Sequence, residues 1–280
     1  MPDDATKLNW RHELNRTFAD TKYWLDSYGK LEFQIATKDH VVRAWFEKFI
    51  PRNNGQCIEI GCFPGQFLAC FGEMGYQLNG LDLIPSVETT LPQWLKDQGY
   101  NVGNFYKNDF LNFNPDTTYD IVASFGFVEH FSNWQDIIRR HMMLVKDGGY
   151  LIISAPNFRG LFQRTFQYFF NRESYKRHNI HAMAPEAWAG IIREQGFEIL
   201  FSGYYGAIDY WVNEQKRNIL SKLTVHFFID ILLPFLKLLP LPRDKKLYSP
   251  ICGVIARKKI EPTEHTEHTE HTENTEKENK

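Results

Sequence analysis

The spacing of apolar residues changes character near residue 51. Residues 10 to 50 carry Trp24, Leu25, Val41, Val42, Trp45, Phe46 and Phe49 at near-helical intervals, which predicts helix. Pro51, Asn53, Asn54 and Gly55 end that pattern. Short apolar runs then alternate with amphipathic stretches. CIEIG precedes a helix over GQFLACFGEMG that stops at Gly75. YQLNGLDL precedes a helix over SVETTLPQWLKDQG, with Ser86 as its expected N-cap. VGNFYKNDF leads to YDIVASFGF, a strong strand, and then to a helix over SNWQDIIRRHMMLVK closed by Asp147, Gly148 and Gly149. YLIISAPN, the helix PEAWAGIIREQG, and two late strands in FEILFSGYYG and SPICGVIARKK complete the series. Strands alternating with helices predict an α/β fold, a doubly wound and mostly parallel sheet.

Three parts follow: an N-terminal helical cap over residues 1–50, a main domain over 51–260, and a polar tail over 261–280. The tail, EHTEHTEHTENTEKENK, is a short-period repeat with nothing to bury, so it reads as a disordered, solvated segment rather than a histidine-bearing metal tail. Within the main domain, residues 216–246 form an apolar stretch almost long enough to span a bilayer. Lys222, His226, Asp230 and Lys237 interrupt it and Pro234 sits inside it, which argues against spanning. Three readings stay open there: a helix packed on the domain or a lid over a greasy substrate, a helix on a membrane surface flanked by Lys216, Arg217, Arg243, Lys245 and Lys246, or a dimer surface.

Composition narrows the function classes. With 280 residues the chain can bury a sizeable core, and its net charge of -2 gives no electrostatic case for nucleic acid. Aromatics at 15% suit an apolar small-molecule pocket, and aromatic core packing equally well. Cys57, Cys62, Cys70 and Cys252 lack the paired spacing of a zinc site and read as core residues. The polar, acidic start MPDDATKLNW is no secretory signal, so a reducing cytoplasmic setting is expected. The sequence does not fix the oligomeric state.

Candidate chemistry begins at CIEIGCFPG, where Gly61 and Gly65 allow a sharp turn after a strand. Asp82 ends the next strand, where a carboxylate can accept from both hydroxyls of a ribose. Taken in order, CIEIGCFPG, LNGLDL, NDF, YDIVASFGFVEHF and LVKDGGYLIISAPN resemble the class I S-adenosylmethionine-dependent methyltransferases. The resemblance covers roughly residues 35 to 205 and is nearest to small-molecule O- and N-methyltransferases of the ubiquinone-biosynthesis type. It implies a seven-stranded Rossmann-like sheet, S-adenosylmethionine as cofactor, and a small apolar or aromatic methyl acceptor.

Residue by residue, the resemblance implies that Glu59 orients the loop while Gly61, Cys62, Phe63 and Gly65 face the cofactor. Phe63 replaces a glycine of the family pattern. Either its ring turns away from the cofactor, with Pro64 holding it extended, or the ring fills the site. Asp82 resembles the ribose carboxylate with Leu83 beside the adenine. Asn108, Asp109 and Phe110 match positions flanking the adenine, although Asp109 also reads as a loop cap. Ser124 and Phe125 follow the fourth strand and are expected near the methionine moiety and substrate, with Glu129 at the same end. His130 of the "EH" pair, or His181 in RHNIHAM, is the expected general base; a structural histidine is the other reading of each. Some ubiquinone-type relatives bind a divalent metal through an extra glutamate three positions before the pair. Here that position is Gly126, so no metal is expected. A nicotinamide-dependent oxidoreductase would want GxGxxG, and Phe63 and Leu68 do not fit it. A non-catalytic binding or interaction module is the other alternative.

Overall fold

The computed structural model describes Phe18, Tyr23 and residues 32–209 and 219–260. Seven strands form one sheet in the order β3-β2-β1-β4-β5-β7-β6. They are β1 (Gln56–Ile60), β2 (Gln77–Asp82), β3 (Val102–Lys107), β4 (Tyr119–Phe125), β5 (Val145–Pro156), β6 (Phe197–Tyr205) and β7 (Ile251–Lys258). The pairs among β1 to β5 are parallel. Strand β7 runs antiparallel to both β5 and β6. The central strands read as continuous apolar runs because helices cover both faces; β1 is buried from Cys57 to Ile60.

Among the described residues, the first six helices are α1 (Val41–Phe46), α2 (Leu68–Glu73), α3 (Thr90–Asp97), α4 (Trp134–Met143), α5 (Leu161–Phe170) and α6 (Arg172–Lys176). A seventh, α7 (Pro185–Glu194), follows. One face is packed by α1 and α2, with Trp45, Phe46, Leu68 and Phe71 in its core. The other holds α4 and α7, with Ile137, Ile138, Trp188 and Ile192. All four cysteines are free and buried.

Several expected boundaries shift. In the described part of 10–50, helix covers Val41–Phe46 and the isolated residue Tyr23, and residues 32–40 are irregular. Trp24 and Leu25 lie outside the described residues, as does the tail 261–280. Ser86 is not an N-cap: it sits in a single 3-10 turn, Pro85–Val87, and α3 begins after Thr89. The Asp147–Gly149 stretch does not close a helix either. α4 ends at Met143 and those residues fall inside β5, where the β4–β5 register slips between Tyr119 and Ile121. Apolar Val145 and Tyr150 on either side can pair with β4, so tertiary pairing overrides the local glycine signal.

The 216–246 stretch is helical where described. α8 (Ile219–His226) continues through a widened turn, Phe227–Leu232, into α9 (Leu233–Leu238). The wide turn lies just before Pro234, whose ring would otherwise meet the carbonyl four residues back. Val225 and Leu233 are buried, and Leu233 packs with Phe166, Ile208 and Tyr248. Leu223, Phe227, Ile231 and Phe235 point outward at four-residue spacing, each about half exposed or more. Among the described residues, no helix is long and apolar enough to cross a membrane.

Candidate active site

The carboxyl ends of β1, β2, β3 and β4 open into one cavity of about 340 Å³, beside the β1/β4 switch point where an open parallel sheet accepts ligands. Its first wall is the turn after β1. The Gly61 N–H donates to the Leu81 carbonyl at 2.8 Å, which fastens the turn to β2. Gly61 sits at φ +71°, and a Cβ there would lie 2.8 Å from the Phe127 ring. Only glycine keeps this turn close to the aromatic wall opposite. Cys62 is buried, its sulfur directed at Gly80 of β2, so the cavity meets the loop beside it.

Phe63 sits where this turn meets Phe33. Its ring packs edge-on to Phe33 at 5.7 Å, and Phe33 stacks on Trp94 at 5.2 Å. The side chain forms a wall of the cavity and leaves its volume open.

Two carboxylates shape the electrostatics. Asp82 accepts from the Phe63 N–H through Oδ2 and from the Ile84 N–H through Oδ1, both at 3.0 Å. Burial raises its pKa while these amide bonds oppose the rise. Glu59 is more severely confined. Burial first, then the charge of Asp82, push its carboxyl well above the ordinary range. The Leu68 N–H favours the charged form, yet Oε2 has no partner. Together they form an acidic end that a cationic ligand would relieve. Asp109 has the cap geometry of one of its two readings, Oδ1 accepting from the Leu111 N–H at 2.9 Å, and the residue also lines the cavity. Phe110 is buried, edge-on to Phe127 at 5.7 Å.

The opposite end is aromatic, built by Phe125, Phe127 and Phe131 around His130. The His130 Nδ1–H donates to the Arg177 carbonyl at 2.9 Å. Burial lowers its pKa to about 3, which keeps the imidazole neutral. The neighbouring Glu129 is fully buried, and neither of its carboxylate oxygens has a hydrogen-bond partner. Burial raises its carboxyl to about 8.

Of the expected residues, Glu59, Gly61, Cys62, Phe63, Gly65, Asp82, Leu83, Asn108, Asp109, Phe110, Phe125 and His130 line the cavity. Ser124 and Glu129 are buried behind its wall. His181 is not brought to it. The residue is exposed on the single turn Ile180–Ala182, where its N–H is held by Asn179. The histidine that reaches His130 is His178, with ring centroids 4.7 Å apart. Sequence reading missed it because the pairing depends on how the chain after α6 folds back onto Glu129, where the Asn179 N–H donates to the Glu129 carbonyl at 2.7 Å. Phe127 and Phe131 were also missed, although the aromatic run FGFVEHF carries both.

A seven-stranded sheet with one reversed strand, and an acid-and-glycine cavity at its carboxyl edge, defines the architecture of class I S-adenosylmethionine-dependent methyltransferases. Residues 12–201 match the model of a methyltransferase domain, more than half of the chain, and the protein belongs to that family. Curated relatives include the ubiquinone biosynthesis O-methyltransferase of Rickettsia conorii, 25% identical over 158 residues, with 54% of this chain and 53% of the relative covered. The protein of the same name from Xylella fastidiosa is 24% identical over 157 residues, covering 55% and 63%. The chain thus spans between about half and two thirds of the length of these relatives. In fold it is similar to a SAM-dependent methyltransferase from Archaeoglobus fulgidus (TM-score 0.51, 19% identity, 85% of this chain and 100% of that one). The MccD protein is comparable (TM-score 0.51, 16% identity, 79% and 97%). S-adenosylmethionine is the methyl donor of this class. The cavity fits it: the turn at Gly61 has no room for a Cβ, Glu59 Oε2 is unpartnered, and Asp82 is held at the rim.

Proposed function

We propose that this chain transfers the methyl group of S-adenosylmethionine to a hydroxyl or amine of a small, apolar or aromatic-bearing acceptor. The observation that carries this reading is one cavity with two unlike ends. Glu59, Gly61 and Asp82 line the first, and Phe127, Phe131 and His130 the second. The names of the curated relatives, ubiquinone biosynthesis O-methyltransferases, favour oxygen as the accepting atom. The bound cofactor would supply an electrophilic methyl carbon. The residues supply binding, orientation and exclusion of water. Asp82 would hold the ribose, Asp109 and Phe110 the adenine, and the aromatic end the acceptor. A histidine with a pKa near 3 is a weak proton acceptor at neutral pH, so His130 orients the acceptor rather than deprotonating it unaided.

Incubation with isotope-labelled methyl donor and a host metabolite extract, read by mass spectrometry, tests the reading. A labelled apolar product is expected, lost by about 100-fold in His130→Ala through misplacement of the acceptor and kept within about twofold in His181→Ala, a surface change. No labelled product, together with no calorimetric binding of S-adenosylhomocysteine, would overturn it and leave a non-catalytic interaction module.

We further propose that the helical segment from Ile219 to Leu238 rests on an anionic membrane surface. None of its described residues lines the cavity, so it is not read as a lid. Its stripe, Leu223, Phe227, Ile231 and Phe235, is exposed among the described residues. Residues 216–246 carry Lys216, Arg217, Lys222, Lys237, Arg243, Lys245 and Lys246 against Asp230 and Asp244, in a protein of net charge -2. Apolar contact plus local basic charge suits anionic lipid. The protein is expected to float with phosphatidylglycerol vesicles, less with neutral ones, and to stop floating when Leu223, Phe227 and Ile231 become serine. Failure of the unmodified protein to float with either would remove the idea.

A further inference from the structure

The acidic and aromatic ends of the cavity meet at Phe127. The residue follows Gly126 in the stretch that leaves β4, and it lines the cavity. One edge of its ring faces the turn after β1: a Cβ on Gly61 would lie 2.8 Å from Phe127 Cδ2 and 3.4 Å from Cε2. The same ring stands nearly perpendicular to Phe110, with centroids 5.7 Å apart, and tilts against Phe131 at 4.9 Å. It therefore packs on the cofactor turn, on the ring assigned to the adenine and on a ring of the acceptor end. We propose that Phe127 recognises the sulfonium of the methyl donor, meeting the positive sulfur with its π system and so favouring the charged donor over its neutral product.

Position carries the assignment. With ribose and adenine at one end and the acceptor at the other, the reacting carbon has to lie where the two ends meet. In the transfer, a lone pair of the acceptor oxygen or nitrogen forms the bond to the methyl carbon. The carbon–sulfur electron pair stays on sulfur, and the acceptor's proton leaves to water. Sulfur thus begins positive and ends neutral. A side chain at that point has two demands to meet, to exclude water and to favour positive charge. An aliphatic group meets only the first. A carboxylate would meet the second, but its oxygen could itself take the methyl. An aromatic ring meets both, because the negative face of its quadrupole attracts a cation and offers no nucleophilic lone pair.

The ring is also held in place before any ligand arrives, as a recognition residue requires. Gly126 takes φ +72° and donates its N–H to the Ser154 carbonyl at 2.8 Å, which ties the chain just before Phe127 to β5. The Phe127 carbonyl accepts from the His130 N–H at 3.2 Å. His141 of α4 stands across the Phe127 ring at 5.9 Å, its Nδ1–H directed to the Ile137 carbonyl at 2.8 Å. Burial lowers the His141 pKa to about 4, so at neutral pH this neighbour sets no positive charge against the ring. The inference deepens the methyltransferase reading and rests on it.

The test is isothermal calorimetry on the full-length protein with S-adenosylmethionine and with S-adenosylhomocysteine, no acceptor being present. The quantity read is the ratio of the two affinities. Phe127→Leu is expected to lower the preference for the sulfonium ligand by about 10-fold, the size of a desolvated cation–π contact. Phe127→Tyr keeps the ring and is expected to hold the ratio within about twofold. The two ligands differ by one methyl group and one charge, so a wall that has merely loosened weakens both and leaves their ratio unchanged. Phe127→Met is a second aliphatic replacement, expected to act as Phe127→Leu does, and circular dichroism confirms folding of each variant. A ratio unchanged in the folded aliphatic variants would overturn the proposal, as would a ratio that falls equally in Phe127→Tyr. Failure of the unmodified protein to bind either ligand would instead count against the methyltransferase reading.

Discussion

Asp82→Ala is expected to weaken S-adenosylhomocysteine binding by at least about 100-fold, with the fold retained. Two effects add. The ribose would lose a charged acceptor, and a hydrogen bond to an ionised group contributes about 1.5–3 kcal/mol. The Phe63 and Ile84 amides, each 3.0 Å from an Asp82 oxygen, would also lose their partner, and the turn that forms the cavity wall would loosen. Asp109→Ala makes the comparison informative. Asp109 caps one amide, that of Leu111, so its loss is expected to weaken binding by about 10-fold, the effect of roughly 1.4 kcal/mol. Isothermal calorimetry at one pH, with circular dichroism to confirm folding, reads both. Equal affinities for Asp82→Ala and the unmodified protein would remove Asp82 from the site.

The seven strands were legible because each central one is a short apolar run, buried on both faces and bounded by turn residues. Their order along the chain carried the family resemblance as well. What failed was local punctuation. Ser86 and the pair Gly148–Gly149 have the residue types of a cap and a helix stop, yet packing of α3 and pairing of β5 with β4 decided both. The cofactor end of the cavity was readable from CIEIGCFPG and LNGLDL, since those residues are close in sequence to the strand ends that place them.

The acceptor end was much less so. His178 and His181 look alike in RHNIHAM, three residues apart on a short irregular stretch, and no periodicity says which turns inward. The fold decides it through backbone bonds, Asn179 N–H to the Glu129 carbonyl and Asn179 Nδ2 to the Phe131 carbonyl at 3.0 Å. Protonation states were also hidden. Glu59 and Glu129 read as ordinary acidic residues in sequence, but both are enclosed so completely that burial raises them, Glu129 to about 8.

That enclosure sets up opposite effects at Glu59, where Glu59→Gln is expected to raise the thermal stability of the ligand-free protein while lowering its affinity for S-adenosylmethionine. The folded pKa of Glu59 is raised, chiefly by burial, so the folded state prefers the protonated acid. This preference is complete below the unfolded value of about 4.3, and is lost as pH rises through the folded value. Glutamine mimics the neutral acid at every pH. The melting temperatures of variant and unmodified protein should therefore be nearly equal at pH 5 and separate towards pH 8. For a protein of this size each kcal/mol moves the midpoint by about 2–4 °C. Saturating S-adenosylmethionine should narrow or reverse the gap, because the cationic ligand rewards a carboxylate and not an amide. Melting curves at pH 5 and 8, with and without cofactor, give the four values needed. A variant less stable than the unmodified protein at pH 8, with undiminished cofactor affinity, would show that Glu59 is ionised in the ligand-free fold and serves the β1 turn alone.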